Sequence, residues 1–173
     1  ENQEEVAITG VRTPSGIVAT YGMIHKIRIR GNGSTVFALY SPEVDEALQS
    51  IVIKFIEQTN YTGIFDIEFL HNENGYHFIE CNFRNGAYGY AITSAGFNMP
   101  AIFAGVIPYK CKLREITFME ERSDILNVFD HTIPLLRWIR DIIATDTFLW
   151  CNCRDMRPML RVPSFIKKLI KDR

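Results

Sequence analysis

The sequence predicts an α+β domain: a largely antiparallel sheet with helices packed on one face. Three observations carry this expectation: a meander of β-rich runs over the first forty residues, one strongly amphipathic helix at 44–56, and a hairpin between residues 65 and 86. A chain of 173 residues is the size of one domain, or of one large lobe of a longer protein. With 47% hydrophobic and 23% charged residues the composition is that of a globular protein. A net charge of −1 gives no overall basic field, so no nucleic-acid partner is expected. No apolar run approaches the ~18 residues needed to span a bilayer, and ENQEEVAITG has no signal-peptide pattern, so no membrane partner is expected either.

Each element has its own local signal. EVAITGV (5–11) and GIVATYGMI (16–24) are strand-like runs separated by R-T-P-S-G, a turn in which Pro presets φ and Gly supplies freedom. HKIRIR then leads through the turn GNGS to the strand TVFALY. The helix follows, with Ser41 as N-cap and Pro42 at the first helical position. Its stripe is Val44, Ala47, Leu48, Ile51, Val52, Phe55 and Ile56, ending near Asn60. After the hairpin, GAYGYAITSAGFNMP reads as small-residue-rich and irregular. Asn98 caps a short helix through Val106 with Pro100 in its first turn. KCKLREITFME reads as a strand, and residues 123–144 as one or two helices, the second starting at Pro134.

The four cysteines, at 81, 111, 151 and 153, read as reduced packing residues of a cytoplasmic protein. Cys151 and Cys153 form a lone C-x-C without the second pair that a structural zinc site needs. Residues 154–173 carry seven Lys or Arg against two Asp, which reads first as a solvated face or chain end.

The hairpin FDIEFLHNENGYHFIECNFRNG bears the chemistry. Asn72, Glu73, Asn74 and Gly75 form its turn. A loop centred on Asn74 places Glu68 opposite Glu80, Asp66 opposite Asn82 and Ile64 opposite Arg84. Phe65, Ile67 and Phe69 then join Ile79, Cys81 and Phe83 on an apolar face expected to be core. The other face holds Asp66, Glu68, Glu80, Asn82 and Arg84, with Leu70 and Phe78 nearer the turn. Like charges directly opposite destabilise a sheet. Three readings offset this: a solvated face partly neutralised by Arg84, a hard-cation site of two carboxylates and an amide, which suits Mg²⁺, or the acid–base pair of a glycosidase.

F-D-I-E-F, a short turn and F-I-E-C-N-F-R resemble the metal-binding hairpin of the ATP-grasp superfamily, whose pattern is an acidic residue on one strand and Glu-x-Asn-x-Arg on the next. A-G-F-N-M-P (95–100) is similar to the small-residue segment that follows it, and the likeness extends over roughly residues 5–107. The resemblance implies that Glu68, Glu80 and Asn82 hold Mg²⁺, with Mn²⁺ as a substitute, and that Arg84 contacts the transferring phosphoryl group. More loosely, it places Lys26 and Arg28 near the phosphates of ATP, Asn85 and Gly86 on a carboxylate substrate, and Tyr88 and Tyr90 around its pocket. Strand alternation puts Lys26, Arg28 and Arg30 on one face, lining the site or facing solvent. His25, His71, His77 and His131 are given no role.

The implied function is an ATP-dependent ligase that activates a small carboxylate as its acyl-phosphate for attack by an amine or similar nucleophile. The alternative is a non-catalytic remnant of the same fold, acting as a binding or regulatory module. Residues 1–122 are expected to form the larger, C-terminal lobe, and 123–173 a helical extension on it. The family's smaller lobe, with its glycine-rich phosphate loop, is not visible in the sequence, so the 173-residue chain alone is expected not to turn over ATP. W-I-R-D-I-I and D-M-R-P-M-L are similar to the tails of ligases in the D-aspartate ligase neighbourhood.

Overall fold

The computed structural model describes residues 3–31, 33–109, 112–151 and Arg157. Cys111, Cys153, the D-M-R-P-M-L segment apart from Arg157, and most of the basic run that ends the chain lie outside the described residues. The meander comprises β1 (Glu4–Arg12), β2 (Val18–Thr20), β3 (Met23–Arg30) and β4 (Ser34–Ser41). Helix α1 (Glu46–Thr59) leads to the hairpin β5 (Gly63–Asn72) and β6 (Gly75–Asn82). There follow α2 (Gly89–Ser94), α3 (Met99–Phe103), β7 (Ile116–Met119), α4 (Glu121–Phe129), α5 (Leu135–Ile143) and β8 (Thr147–Phe148). The described strands form one sheet in the order β6-β5-β1-β3-β4-β7-β8, with β2 also beside β1. Every pairing is antiparallel except β7 with β8.

This is the α+β, largely antiparallel arrangement expected, but the helices divide between the two faces of the sheet. Val6 and Ile8 of β1 join Leu48, Val52 and Ile56 of α1 in one core with Phe65, Ile67 and Phe69. Ala7 and Val11, pointing the other way, join Ala91, Ile92, Met99 and Ile102 of α2 and α3 in a second core. The physical reason lies in V-A-I: a strand apolar at successive positions needs cover on both sides.

Helix α1 starts later than Ser41 and Pro42 suggested. Asp45 is the N-cap, accepting from the backbone N–H of Ala47 at 2.8 Å and Leu48 at 3.0 Å. A carboxylate is a strong cap and also complements the positive end of the helix. Ser41 instead ends β4. Of the predicted stripe only Leu48, Val52 and Ile56 are buried, while Ile51 is 61% exposed. Asn60 closes the helix in the left-handed region, φ 55°.

Other differences are local. GAYGYAITSAGFNMP contains α2, whose Ala91 and Ile92 pack into the core against the sheet, while Gly89 leaves room for the Asn85 side chain. Asn98 caps α3 as expected, but the helix stops at Phe103 rather than Val106. Of the described residues of KCKLREITFME, Ile116–Met119 form the strand. Pro134 directly precedes α5.

GIVATYGMI divides into β2 and β3 at Gly22, which has φ +70°. A Cβ there would land on the Ser41 carbonyl oxygen and the Tyr40 ring. Tyr40 is fully buried and cannot yield space. Gly22→Ala is therefore expected to destabilise the protein by about 2 kcal/mol or more. Urea unfolding checks this, and an unchanged midpoint would refute it.

The strand β3 holds a correction that matters for the site. Lys26 pairs with Ala38 but Arg28 pairs with Phe37, because Ile27 forms a bulge. Ala38 and Phe37 are neighbours on β4 and point to opposite faces. Arg28 and Arg30 are therefore turned away from the face that Lys26 shares. Arg28 donates through Nε and Nη2 to Asp124 at 2.6 and 2.5 Å, and through Nη1 to Asp141 at 2.9 Å. Arg30 donates to Asn127 at 2.8 Å and to Asp130 at 2.5 Å. These bonds attach α4 and α5 to the sheet.

Candidate functional site

The hairpin turn is built by Asn72, whose side-chain oxygen accepts from the backbone N–H of Asn74 at 2.8 Å, and by Gly75 at φ +106°. Asn72 pairs with Gly75, so the loop is Glu73–Asn74 and is tighter than one centred on Asn74. One extra residue, Ile79, is then accommodated in β6 as a bulge between the Phe69↔Phe78 and Glu68↔Glu80 pairs. Beyond it, Glu68 pairs with Glu80 and Asp66 with Asn82, the pairings the spacing implies.

The bulge changes which side chains share a face. Phe78, placed on the polar face by simple alternation, packs on the other side with ring centroids 6.3 Å from both Phe55 and Phe69. Ile79 moves the other way and lines the cleft. Because β6 is the edge of the described sheet, the apolar face expected to be core is fully buried only on β5, at Phe65, Ile67 and Phe69; on β6 Cys81 packs against that core in part, whereas Ile79 and Phe83 are nearly half exposed. Arg84 lies past the end of β6, in a bend, and is not paired with Ile64.

The polar face of the hairpin opens on a cleft of about 880 Å³, within the range of small-molecule sites. Glu68, Glu80, Asn82, Arg84 and Gly86 all line it. Asn85, expected beside Gly86, is exposed and contributes nothing to the lining. Asn82 donates from Nδ2 to Glu80 Oε1 at 2.7 Å, which leaves the amide oxygen as its donor toward a cation. Lys26 reaches the site from β3. Its side chain is fully buried, and Nζ lies 2.5 Å from Glu68 Oε2 and 3.2 Å from Glu5 Oε2. Arg28 does not reach the site: its guanidinium is committed to Asp124 and Asp141 on the opposite face.

Two contacts of the site were not legible in the sequence. Asp66 is 3% exposed and accepts from the Tyr88 hydroxyl at 2.5 Å, which ties the hairpin to the start of α2. Burial pushes the Asp66 carboxyl up to about 6. The charge of Glu68 adds to the rise, while the Tyr88 hydroxyl, Lys26 and Arg84 oppose it. Burial and the neighbouring Asp66 hold the Tyr88 hydroxyl well above its ordinary value, so it is a donor throughout the physiological range. Tyr90, grouped with Tyr88 from the sequence, is half exposed and does not line the cleft. Across the cleft, Glu121 accepts from the backbone N–H of Trp150 at 3.0 Å and from that of Cys151. This holds Trp150 against Arg122, whose guanidinium stacks 3.9 Å from the indole centroid. No sequence spacing joins residues 122 and 150. Their meeting depends on the β7–β8 pairing.

Among the described residues no group of three or more His, Cys, Asp or Glu stands at metal-binding spacing. A cation at the hairpin would take two carboxylates, the Asn82 amide oxygen and further donors from water or phosphate. That oxygen-only, incomplete set is the kind Mg²⁺ accepts. Two carboxylates face each other with the compensating charge of Lys26 on Glu68 alone, so the donors present fit a divalent ion. Cys81 and Cys151 are free thiols, and no described helix is long and apolar enough to cross a membrane.

No family model and no curated protein matches the chain. Solved structures do match its fold. N5-carboxyaminoimidazole ribonucleotide synthetase of Thermus thermophilus aligns at a TM-score of 0.54 and 21% identity over 66% of this chain and 34% of that one. N5-carboxyaminoimidazole synthetase of Staphylococcus aureus aligns at 0.57 and 16% over 74% and 37%. The biotin carboxylase domain of Hydrogenobacter thermophilus 2-oxoglutarate carboxylase, solved with MgADP, ADP and bicarbonate, aligns at 0.54 and 20% over 68% and 29%. The chain thus spans about a third of the length of these proteins. At such identities the likeness is one of fold: the described sheet and helices have the ATP-grasp arrangement.

Proposed function

We propose that this chain is the metal-binding lobe of an ATP-dependent ligase, which activates a small carboxylate as its acyl-phosphate for attack by an amine or similar nucleophile. One observation carries the reading: Glu68 and Glu80 face each other across the hairpin, with Asn82 beside them and Arg84 next along the same edge, all on one cleft. The fold supports it, since it is shared with a carboxylase domain solved with MgADP and bicarbonate.

In this reading Glu68, Glu80 and Asn82 hold Mg²⁺. The ion supplies charge neutralisation on the phosphate oxygens, where phosphoryl transfer needs it. Arg84 presents a planar fork of donors to the transferring phosphoryl group. Lys26 adds a point charge beside Glu68, and the backbone at Gly86, where a Cβ would crowd Tyr88, lets the substrate carboxylate approach. Asn85 acts on substrate only from outside the cleft lining. In this proposal residues 1–122 form most of the lobe, α4, α5 and β8 complete it on the same sheet, and the smaller lobe of the same protein supplies the phosphate loop and the adenine hinge. The activity of the whole enzyme is part of the proposal.

The test is Mn²⁺ binding, followed by the loss of the free-ion paramagnetic resonance signal, in wild type and Glu80→Ala with and without ADP. Even outer-shell partners of a metal are worth about 10–100-fold in affinity, so removal of a direct ligand is expected to weaken binding by at least about a hundredfold. Equal binding by the two proteins would sink the metal-site reading.

A further inference from the structure

We infer that Lys26 is a resident counter-cation of the metal site, through which a divalent ion and a nucleotide phosphate are made to bind cooperatively. The inference rests on the metal-site reading above and adds a coupling to it. Its basis is a side chain with no solvent exposure, ion-paired at 2.5 Å to Glu68 and at 3.2 Å to Glu5.

A buried ammonium is stable only while paired, so Lys26 holds its carboxylates firmly in the protein without ligands. Glu68 also stands opposite Glu80. Lys26 is therefore what relieves the like-charge pair, and it does so by taking up one of the two carboxylates that a metal needs. A divalent ion arriving alone must share Glu68 with an ammonium in a partly desolvated site, where the two cations repel. A phosphate arriving with the ion changes the balance. It supplies an anion toward which the ammonium can turn, and Glu68 is released to the metal. Glu5, still within reach, keeps the ammonium compensated during the exchange. The factor by which the nucleotide strengthens metal binding equals the factor by which metal strengthens nucleotide binding.

Two substitutions move this coupling in opposite directions. Lys26→Met removes the competitor and keeps the aliphatic packing, so Mn²⁺ alone binds more tightly, by about tenfold or more. The further gain on adding ADP shrinks toward none. Glu5→Gln leaves Lys26 dependent on Glu68 alone, so Mn²⁺ alone binds more weakly and the gain from ADP grows. Glu5 is 29% exposed, so this variant tests the idea even should Lys26→Met fold poorly. Titration of the full chain with Mn²⁺, at zero and saturating ADP, reads both quantities.

Unchanged or weaker Mn²⁺ binding by Lys26→Met, or an ADP gain that moves the same way in both variants, overturns the inference. The Glu80→Ala control separates the two levels. If that control binds Mn²⁺ as wild type does, the metal site falls and the coupling falls with it. If the control loses Mn²⁺ but Lys26→Met fails to tighten binding, the site stands and the coupling alone is wrong.

Discussion

Arg28→Ala is expected to destabilise the protein by about 3–5 kcal/mol, the range for removing one member of a buried ion pair. Arg28 is 9% exposed, and its guanidinium is shared by Asp124, which is fully buried, and Asp141, which is 7% exposed. It also lies 4.9 Å from the centroid of the Phe37 ring. Alanine would leave buried Asp124 with the Asn127 amide at 3.1 Å and Asp141 with the exposed Arg140 at 3.6 Å in place of the guanidinium, and α4 and α5 would lose their principal polar attachment to the sheet. Replacing the whole group is a different experiment. Arg28→Met with Asp124→Leu and Asp141→Leu removes the charges together, and such exchanges are often neutral or stabilising. Chemical denaturation of the single and triple variants reads the contrast. A single variant that unfolds at the wild-type midpoint would show that the triad is solvated rather than structural.

Asp66→Asn is expected to act in the opposite direction, stabilising the metal-free protein at neutral pH. The Asp66 carboxyl is raised to about 6 in the folded state, chiefly by burial, against an ordinary 3.8. A carboxyl raised by folding favours the native state in its protonated form. That contribution is complete below 3.8 and is lost as pH climbs through about 6. Above pH 7 the native protein carries a buried charge, and at about 1.4 kcal/mol per pH unit the rise amounts to roughly 3 kcal/mol at most. Asparagine keeps an acceptor for the Tyr88 hydroxyl and carries no charge. Unfolding in the presence of a chelator should show a gain of up to about 3 kcal/mol at pH 7.5 that disappears by pH 4. A gain of equal size at both pH values would exclude a titrating Asp66 as its source.

The sequence revealed contacts that depend on one element or on one short turn. The hairpin is the clearest instance: Asn72 to Gly75 announce the turn, and counting outward brings Glu68 to Glu80. Counting fails where a single residue bulges, since neither Ile27 nor Ile79 differs in type from a regular strand residue. At Ile79 the bulge restores the deduced pairing but exchanges the faces of two apolar side chains. At Ile27 it carries Arg28 out of the site, and strand alternation has no means of anticipating that. The two-faced cover of the sheet, by contrast, was present in the consecutive apolar residues of β1. The partners of Asp66 and of Arg122 were not, because Tyr88 and Trp150 reach them through tertiary packing.

The position of β6 at the edge of the described sheet has a consequence of another kind. An edge strand offers unpaired N–H and C=O groups to any other extended chain. Here that strand carries Phe78 and Ile79, both substantially exposed, within Y-H-F-I-E-C. Segments of this composition stack on their own copies unless a charge interrupts them. Glu80 is the only such charge in that run. The carboxylate proposed to hold the metal therefore also keeps neighbouring molecules from zipping together along their edges, and a mutation made to silence the chemistry would remove a guard against self-association in the same stroke.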